Sequence, residues 1–282
     1  MKKITLLILV VVLAFSVRAQ DANTTEKFVS KKGFAILPEA GDFSLGIDAT
    51  PFFSYAGQLL GGNAAFAPSF NWTAANPMRI SGKMVIDAHT AYRVAFRLGM
   101  TNKKESAYKT QDGQNDPLVT VEDVWTNSQM NVGLGAGLEK RRGTGRLQGV
   151  YGAMAMLSFG TNKDSYEYGN AYSKTNTSPN RNDFNGNDLT GGWVMEDKNG
   201  TTFGFEASAF VGVEYFFAPK FSLSGEFSYG LGFSSTGDGS ATIQSWDAAN
   251  NSVKTSTTAI GGGSFFALDT KAIGVLNLNF YF

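Results

Sequence analysis

Apolar and polar residues alternate with a period of two in eight separate segments of the chain. Such alternation indicates β-strands that have one apolar and one polar face. In the fifth segment both faces are partly apolar, and we expect Leu147, Tyr151 and Leu157 to share the outer face. The pattern predicts strands near residues 43–49, 78–87, 92–100, 130–138, 146–159, 203–215, 221–233 and 276–282.

The connections between these predicted strands alternate in length. Short turns join the second strand to the third, the fourth to the fifth and the sixth to the seventh, and the other four connections are long (51–77, 101–127, 160–201 and 234–264). Strands of about ten residues cross a bilayer when tilted, and a sheet in lipid must close because unpaired edges find no hydrogen-bond partner there. The sequence therefore predicts an all-β fold, an eight-stranded antiparallel transmembrane β-barrel with short periplasmic turns and four long extracellular loops.

Composition separates this barrel from a soluble β-sandwich, which would alternate in the same way. Only 17% of the residues are charged, and the polar faces consist mainly of Gly, Ser and Asn instead of Lys and Glu. The 33 glycines suit a narrow interior, and the 23 phenylalanines suit an outer face in lipid. Because 24 basic residues balance 24 acidic ones, a strongly basic nucleic-acid-binding protein is excluded.

The N-terminal residues have the features of a secretory signal peptide, predicted as residues 1–19. Lys2 and Lys3 precede an apolar run, and Ala19 is a small residue before the expected cleavage site. An uncleaved membrane anchor is the alternative interpretation. Residues 20–41 are predicted to form a periplasmic N-terminal segment that tethers the protein, and residues 42–282 to form the outer-membrane barrel.

The chain resembles the small eight-stranded outer-membrane barrels of Gram-negative bacteria (the OmpA/OmpX-like, porin-like family). The signal peptide ending in Ala19 and the aromatic end of the last strand carry this resemblance. The resemblance implies an integral outer-membrane protein that contacts lipid and lipopolysaccharide. It also implies biogenesis by the barrel-assembly machinery, with Leu278, Phe280 and Phe282 as the assembly signal. It implies little about activity, because one fold hosts many functions.

The few charged residues of the predicted strands lie on the inward face and form a candidate lumen charge network. Its members are Arg79, Lys83, Arg93, Arg97, Glu206, Glu214 and Glu226. When residues are counted along each strand from its turn, Lys83 and Arg97 are expected at about the same depth in the lumen as Glu226. Arg93 is expected nearer to Glu214. Since buried charges must be paired, the network is interpreted as a salt-bridged core, with an ion-selective path or gate as the alternative.

Catalysis and metal binding have little support in the sequence. The chain has no Cys, and its one His, His89, lies in a predicted periplasmic turn. We therefore predict a non-enzymatic protein with no cofactor and no assigned metal ligand, although a Ser-Lys or Asp-Asp arrangement stays open. One weak calcium-loop pattern lacks the terminal Glu of an EF-hand. It consists of Asn182, Asp183, Asn185, Gly186, Asn187 and Asp188.

Each predicted long loop contains one tryptophan, and together these form a candidate binding surface: Trp72, Trp125, Trp193 and Trp246. They are interpreted as an aromatic girdle, as part of a packed cap or as a docking surface. Residues 169–192 are expected to be mobile unless a partner orders them.

The leading functional hypothesis is a structural or accessory barrel that binds partners through its loops. It includes a role as a subunit of a complex with other outer-membrane proteins. The alternatives are a narrow pore or small-molecule transporter, and an outer-membrane surface enzyme.

Overall fold

The computed structural model describes residues 28–49, 80–143, 145–184, 188–189 and 192–282. These residues form one antiparallel sheet of twelve strands. The strands are β1 (Phe43–Asp48), β2 (Ile80–Asp87), β3 (Thr90–Thr110), β4 (Thr120–Arg142), β5 (Leu147–Glu167), β6 (Asp188–Leu189), β7 (Gly192–Lys198), β8 (Thr202–Ala218), β9 (Phe221–Thr236), β10 (Gly239–Asp247), β11 (Ser252–Ile260) and β12 (Gly263–Tyr281). Within the described ranges, no helix has the length and apolar character needed to cross a membrane.

Eight of the strands pair in a closed ring. Strands β1 to β5 pair in chain order, and β5 also pairs with β8. Strand β8 pairs with β9, β9 with β12, and β12 with β1, which closes the ring. The eight segments predicted from alternation are these eight strands, so their existence and order are confirmed. Residues 78–79 of the second predicted strand lie outside the described residues.

The predicted strand count of eight is wrong, because the sheet contains four further strands. Strands β6, β7, β10 and β11 lie in segments that were predicted to be long loops. Strands β3 and β4 also extend beyond their predicted ends, with Thr110 paired to Thr120. All nine residues of β11 are exposed. Such segments favour strands through their β-branched residues, but with no buried face they lack the apolar–polar alternation that revealed the ring.

The ring buries its polar face and exposes its apolar face. On β3, Tyr92, Val94 and Phe96 are 54%, 57% and 42% exposed, whereas Arg93 between them is 8% exposed. The same arrangement continues around the ring. Other exposed apolar residues are Leu45, Met84, Leu134, Leu147, Tyr151, Leu157, Val211, Phe227 and Phe280. The predicted outer face of the fifth segment is therefore confirmed.

Residues 28–42 fold against one end of the ring, here called the turn end, where the short turns follow β2, β4 and β8. Ile36 is 2% exposed and packs with Val85, Phe216 and Tyr281. The N–H of Lys220 donates to the carbonyl of Ile36 at 3.2 Å. The described part of the predicted N-terminal segment thus places the apolar side chain of Ile36 in the turn end, and residues 1–27, which include the predicted signal peptide, lie outside the described residues. The opposite end of the ring is called the loop end.

Candidate functional site

Charged side chains cluster inside the ring near its turn end. Lys83 on β2 and Arg93 on β3 lie directly opposite each other in the register of the two strands. Both side chains point inward, and the two residues are 3% and 8% exposed. Two adjacent buried cations are tolerated only where carboxylates compensate them.

Two carboxylates and a third cation surround Lys83. Its Nζ lies 3.0 Å from Oε2 of Glu139 on β4 and 3.2 Å from Oε2 of Glu214 on β8. Arg141 binds the same two carboxylates, with Nε 2.8 Å from Oε1 of Glu139 and Nη2 3.3 Å from Oε2 of Glu214. Lys83 and Arg141 are thereby joined through shared anions.

Arg93 extends this cluster toward β9. Its Nη2 lies 2.9 Å from Oε2 of Glu226, and its Nη1 lies 3.5 Å from Oε2 of Glu139. The guanidinium also lies over the ring of Phe210, 4.2 Å from the centroid. Three cations and three anions balance in the interior charge network, which consists of Lys83, Arg93, Glu139, Arg141, Glu214 and Glu226.

Neutral donors complete the surroundings of Glu214, which is fully buried. Its Oε1 accepts hydrogen bonds from Ser222 Oγ at 2.5 Å, Tyr281 Oη at 2.8 Å and Asn279 Nδ2 at 3.1 Å. The hydroxyl oxygen of Tyr281 in turn accepts a hydrogen bond from Arg141 Nη2 at 2.5 Å. A carboxylate held by this many donors is a fixed structural anion, since each donor offsets part of its desolvation.

The structure brings together four of the seven residues predicted for the lumen network. Lys83 contacts Glu214, and Arg93 contacts Glu226. The predicted depth matching is therefore wrong for both cations, because neighbouring strands of a closed ring are staggered and distance from a turn does not measure depth. Arg79 lies outside the described residues, Arg97 lines a cavity nearer the loop end, and Glu206 lies on β8 opposite Met156.

Sequence reasoning missed two members of the network, Glu139 and Arg141. Both are buried, at 0% and 3% exposure. The signal was present, because the inward positions of the fourth predicted strand continue at intervals of two past Gly137. The prediction ended that strand at residue 138, whereas β4 runs to Arg142.

Methionine side chains fill the ring above the network. A Cβ placed on Gly133 would lie 2.5 Å from Cε of Met156, and one on Gly135 would lie 2.5 Å from Cε of Met154. One on Gly137 would lie 2.5 Å from the carbonyl oxygen of Ala153. Close approach of backbone therefore requires a glycine at Gly137, whereas Gly133 and Gly135 face the flexible ends of the methionine side chains that occupy the interior at this level.

A polar cavity of about 440 Å³ lies nearer the loop end. Strands β3, β4, β5, β8 and β9 contribute to its walls, with Arg97 as the charged residue of the lining. The lining residues are Arg97, Gly99, Thr101, Gln129, Met130, Asn131, Gly160, Thr161, Asn162, Asn199, Gly200, Thr202 and Thr236.

Beyond the ring, residues 168–184 pack onto the extended strands as a loop cap. Both carboxylate oxygens of the buried Asp123 accept backbone N–H groups of this cap, from Gly169 at 2.8 Å and Asn182 at 2.6 Å. Arg181 lies between the rings of Tyr168 and Tyr172, with its guanidinium carbon 4.6 and 4.7 Å from their centroids. Burial raises the pKa of Tyr168 and lowers that of Arg181.

The cap changes the interpretation of residues 169–192. Asn170 donates through Nδ2 to the carbonyls of Thr110 at 2.9 Å and Asn180 at 2.7 Å. Asp112 accepts from Asn176 Nδ2 at 2.7 Å and from the N–H of Asn180 at 2.9 Å. Contrary to the prediction of mobility, contacts within the chain hold residues 169–184; residues 185–187 and 190–191 lie outside the described residues.

Three of the four tryptophans lie on strands, not in loops, and Trp72 lies outside the described residues. Trp125 is on β4, where its Nε1 donates to Asp164 at 2.8 Å and Lys103 lies over its ring. Trp193 is on β7, with its ring 5.4 Å from that of Tyr168, and Trp246 is on β10. For Trp125 and Trp193, these contacts favour the packed-cap interpretation.

Two aspartates meet beside this cap. Asp164 on β5 and Asp197 on β7 are direct cross-strand partners. Desolvation and the neighbouring charge of Asp164 raise the pKa of Asp197. In the described part of the chain, no group of three or more His, Asp or Glu residues is arranged to hold a metal.

The remaining predicted site residues are distributed over the two ends. Asn182 and Asp183 belong to the cap, Asn185, Gly186 and Asn187 lie outside the described residues, and Asp188 is in β6. His89 is exposed in the turn after β2, where its N–H donates to Asp87 Oδ1 at 2.7 Å. Leu278, Phe280 and Phe282 are exposed on the outer face at 37%, 42% and 65%.

No protein-family model matches this chain, and no curated protein is significantly similar to it.

Proposed function

We propose that this chain is an eight-stranded transmembrane β-barrel of a Gram-negative outer membrane, in the OmpA/OmpX-like group. The inverted polarity of the ring carries the proposal, because apolar side chains are exposed outside while Lys83 and Glu214 are buried inside. An exposed apolar face of this extent is unfavourable in water and favourable in lipid. The cyclic strand pairing leaves no sheet edge of the ring in the hydrocarbon region.

A matched pair of substitutions tests the membrane location. Leu134 on β4 of the ring and Val253 on β11 are both exposed, at 63% and 41%. In a barrel reconstituted in lipid vesicles, Leu134→Arg lowers the free energy of unfolding by about 2–4 kcal/mol, and Val253→Arg changes it by less than about 0.5 kcal/mol. Equal tolerance of both substitutions in urea unfolding contradicts the proposal.

The export and assembly steps follow from the two ends of the chain. We propose cleavage of residues 1–19 and insertion by the barrel-assembly machinery through Leu278, Phe280 and Phe282. The protein would then contact lipid and lipopolysaccharide. Membrane fractionation and N-terminal sequencing of the mature protein test this, and recovery in the soluble fraction contradicts it.

Within the membrane, the protein acts by binding instead of by catalysis. The interior charge network and the methionines Met154 and Met156 fill the ring, which supports a closed interior. The extended strands and the loop cap supply a structured surface outside it, with Trp125 and Trp193 packed in its base. We propose a structural or accessory role, as a partner-binding protein or a subunit of a larger outer-membrane complex.

Affinity purification from native membranes in mild detergent tests the binding role. Stoichiometric co-purification of other outer-membrane proteins is the expected result, and recovery of a lone monomer contradicts it. Asp123→Ala, which disrupts the loop cap, should reduce the amount of partner protein that co-purifies while the ring stays folded. The control is Glu122→Ala, because Glu122 is exposed and directly precedes Asp123 on β4.

A narrow pore is the second candidate, supported by the cavity of about 440 Å³ at the loop end. It requires a continuous path past the charge network. Single-channel recording distinguishes the two proposals, since a filled ring gives no steady conductance and a pore does. A surface enzyme is the third candidate, with the cross-strand aspartates Asp164 and Asp197 as its catalytic pair, and loss of a hydrolytic activity in Asp197→Asn would support it.

A further inference from the structure

The exposed apolar residues on the outside of the ring, here called the apolar band, end sharply on β3 and β4 toward the loop end. Met100 and Met130 are partners in the register of these strands, and both are exposed. The next outward positions are occupied by Asn102 and Ser128, which are again partners. On these strands the outer face therefore changes from apolar to polar within one step.

The first polar row beyond the apolar band contains two lysines. Ser128 is the partner of Lys163 on β5, and Lys163 is the partner of Lys198 on β7. Lys163 lies on the same face of β5 as the exposed Phe159, so both lysines are directed outward. Like charges directly opposite each other on neighbouring strands are unfavourable. This row therefore favours an anion beside it.

One carboxylate of the chain meets part of this requirement. The Nζ of Lys163 lies 2.5 Å from Oε2 of Glu196, with side chains 45% and 38% exposed. Lys104 is exposed on the outer face of β3, in the same row of the register as Glu196. Neither Lys104 nor Lys198 forms an ion pair with another residue that the structure describes. The three lysines and Glu196 together leave a net charge of +2.

The position of these lysines along the strands corresponds to the lipid headgroups of a membrane. Alternate residues of a strand are about 7 Å apart, or about 5 Å along the membrane normal at a tilt of roughly 40°. The row of Lys163 and Lys198 thus lies about 5 Å beyond Met130, within the headgroup layer of roughly 5–8 Å. A lysine can lay its stem along the apolar band and place its ammonium group in that layer.

We propose that Lys104, Lys163 and Lys198 form a binding site for the phosphate group of a membrane lipid. The inference rests on the proposed membrane location, and it deepens it by naming the lipid group and the residues that hold it. A phosphate monoester carries about −1.5 to −2 charges at pH 7, which matches the net charge of +2, whereas a phosphate diester carries one negative charge. The ligand is therefore a lipid whose headgroup has a phosphate monoester.

Native mass spectrometry of the purified full chain in detergent tests this preference with three lipids. Phosphatidic acid has a phosphate monoester, phosphatidylglycerol has a phosphate diester, and phosphatidylcholine is zwitterionic. We expect phosphatidic acid to bind about fivefold more tightly than phosphatidylglycerol, and phosphatidylcholine to bind most weakly, since each additional charge contact near the headgroups adds a factor of about five. If phosphatidic acid binds no more tightly than either of the other lipids, the inference is overturned.

Variants that change the charge locate the binding on the outer face. Lys163→Gln combined with Lys198→Gln should weaken the binding of phosphatidic acid by at least about tenfold. Glu196→Gln removes the competing carboxylate and should tighten it by about fivefold. Lys254→Gln is the control, because Lys254 is exposed on β11, opposite Ser245 and outside these rows, and it should bind as the unaltered chain does. Undiminished binding in the double variant, or an equal loss in Lys254→Gln, overturns the inference.

Far-ultraviolet circular dichroism identifies the variants that fold. If the double variant does not fold, Lys198→Gln alone decides, with an expected loss of about fivefold, and undiminished binding overturns the inference. A chain that fractionates with the outer membrane but does not prefer phosphatidic acid overturns this inference alone. Recovery in the soluble fraction overturns the proposed function and this inference with it.

Discussion

The ammonium group of Lys83 lies 3.2 Å from the carboxylate of Glu214, and the two residues are on strands at opposite positions of the ring. Their side chains are 2% and 0% exposed. The ion pair therefore spans the interior and ties together walls that have no backbone hydrogen bonds to each other. Its physical role is to hold these opposite walls together, with Glu139 and Arg141 completing the charge balance.

Replacement of Glu214 by glutamine should destabilise the ring severely. The substitution leaves Lys83 and Arg141 with one shared carboxylate, that of Glu139. Breaking a buried pair by removing one partner costs about 3–5 kcal/mol. Urea unfolding in detergent micelles measures the loss.

The exposed pair of Lys103 and Glu105, with side chains 56% and 46% exposed, is the control. Solvent screens such a pair, so Glu105→Gln should change the unfolding free energy by less than about 1 kcal/mol. Similar losses in Glu214→Gln and Glu105→Gln would contradict a network that holds the ring together.

Substitution of the strand glycines should depend on what faces them inside the ring. A Cβ at Gly137 would lie 2.5 Å from a backbone oxygen of Ala153 and 3.0 Å from Cα of Met154, whereas one at Gly232 would meet nothing within 4 Å. We expect Gly137→Ala to cost about 1–3 kcal/mol, and Gly232→Ala to be neutral or to stabilise by up to about 1 kcal/mol. Thermal unfolding followed by circular dichroism compares the two, and equal effects would show that close packing does not require Gly137.

The loop cap should detach when Asp123 is replaced. Asp123→Ala leaves the N–H groups of Gly169 and Asn182 without their acceptors. Unsatisfied buried groups cost about 1–3 kcal/mol each, enough to open a loop but not the ring. Limited proteolysis should cut within residues 168–184 in the variant, and the exposed Glu122→Ala should be cut as slowly as the unaltered chain. Resistance of Asp123→Ala to protease would contradict this anchoring.

The pairing of β7 with β5 should weaken as pH rises. The folded state raises the pKa of Asp197 above the ordinary value of about 3.9, through desolvation and then through repulsion by Asp164. The folded state therefore favours the protonated carboxyl. Its stabilising contribution is complete below the ordinary pKa and is lost as pH rises through the raised pKa.

Asp197→Asn should accordingly stabilise β7 at pH 7 and show little advantage near pH 3. The fluorescence of Trp193, on the same strand, follows local melting. Glu196→Gln is the control, because its exposed pairing with Lys163 should contribute little at either pH. A stability difference between Asp197→Asn and the unaltered chain that does not vary with pH would exclude this explanation.

The alternation of residues predicted the ring because its two faces meet different surroundings. Leu134 and Gly135 differ in polarity and size, and the structure places them on opposite faces, one exposed and one against Met154. The inward positions of Lys83, Arg93, Glu214 and Glu226 followed from the same rule. The rule did not find β10 and β11, since burial does not alternate along either strand: the residues of β10 are all half-buried and those of β11 are all exposed.

The sequence by itself determined the strands of the ring, their order and the inward face of Lys83, Arg93, Glu214 and Glu226, because side chains alternate along any strand. Only the tertiary structure decided which charges meet. The stagger of neighbouring strands pairs Lys83 with Glu214 and Arg93 with Glu226, and this stagger has no local signal. The closing of the turn end by Ile36 and the holding of the cap by Asp123 also depend on contacts between distant segments. Such contacts join segments far apart in the sequence, so no local pattern of residues predicts them.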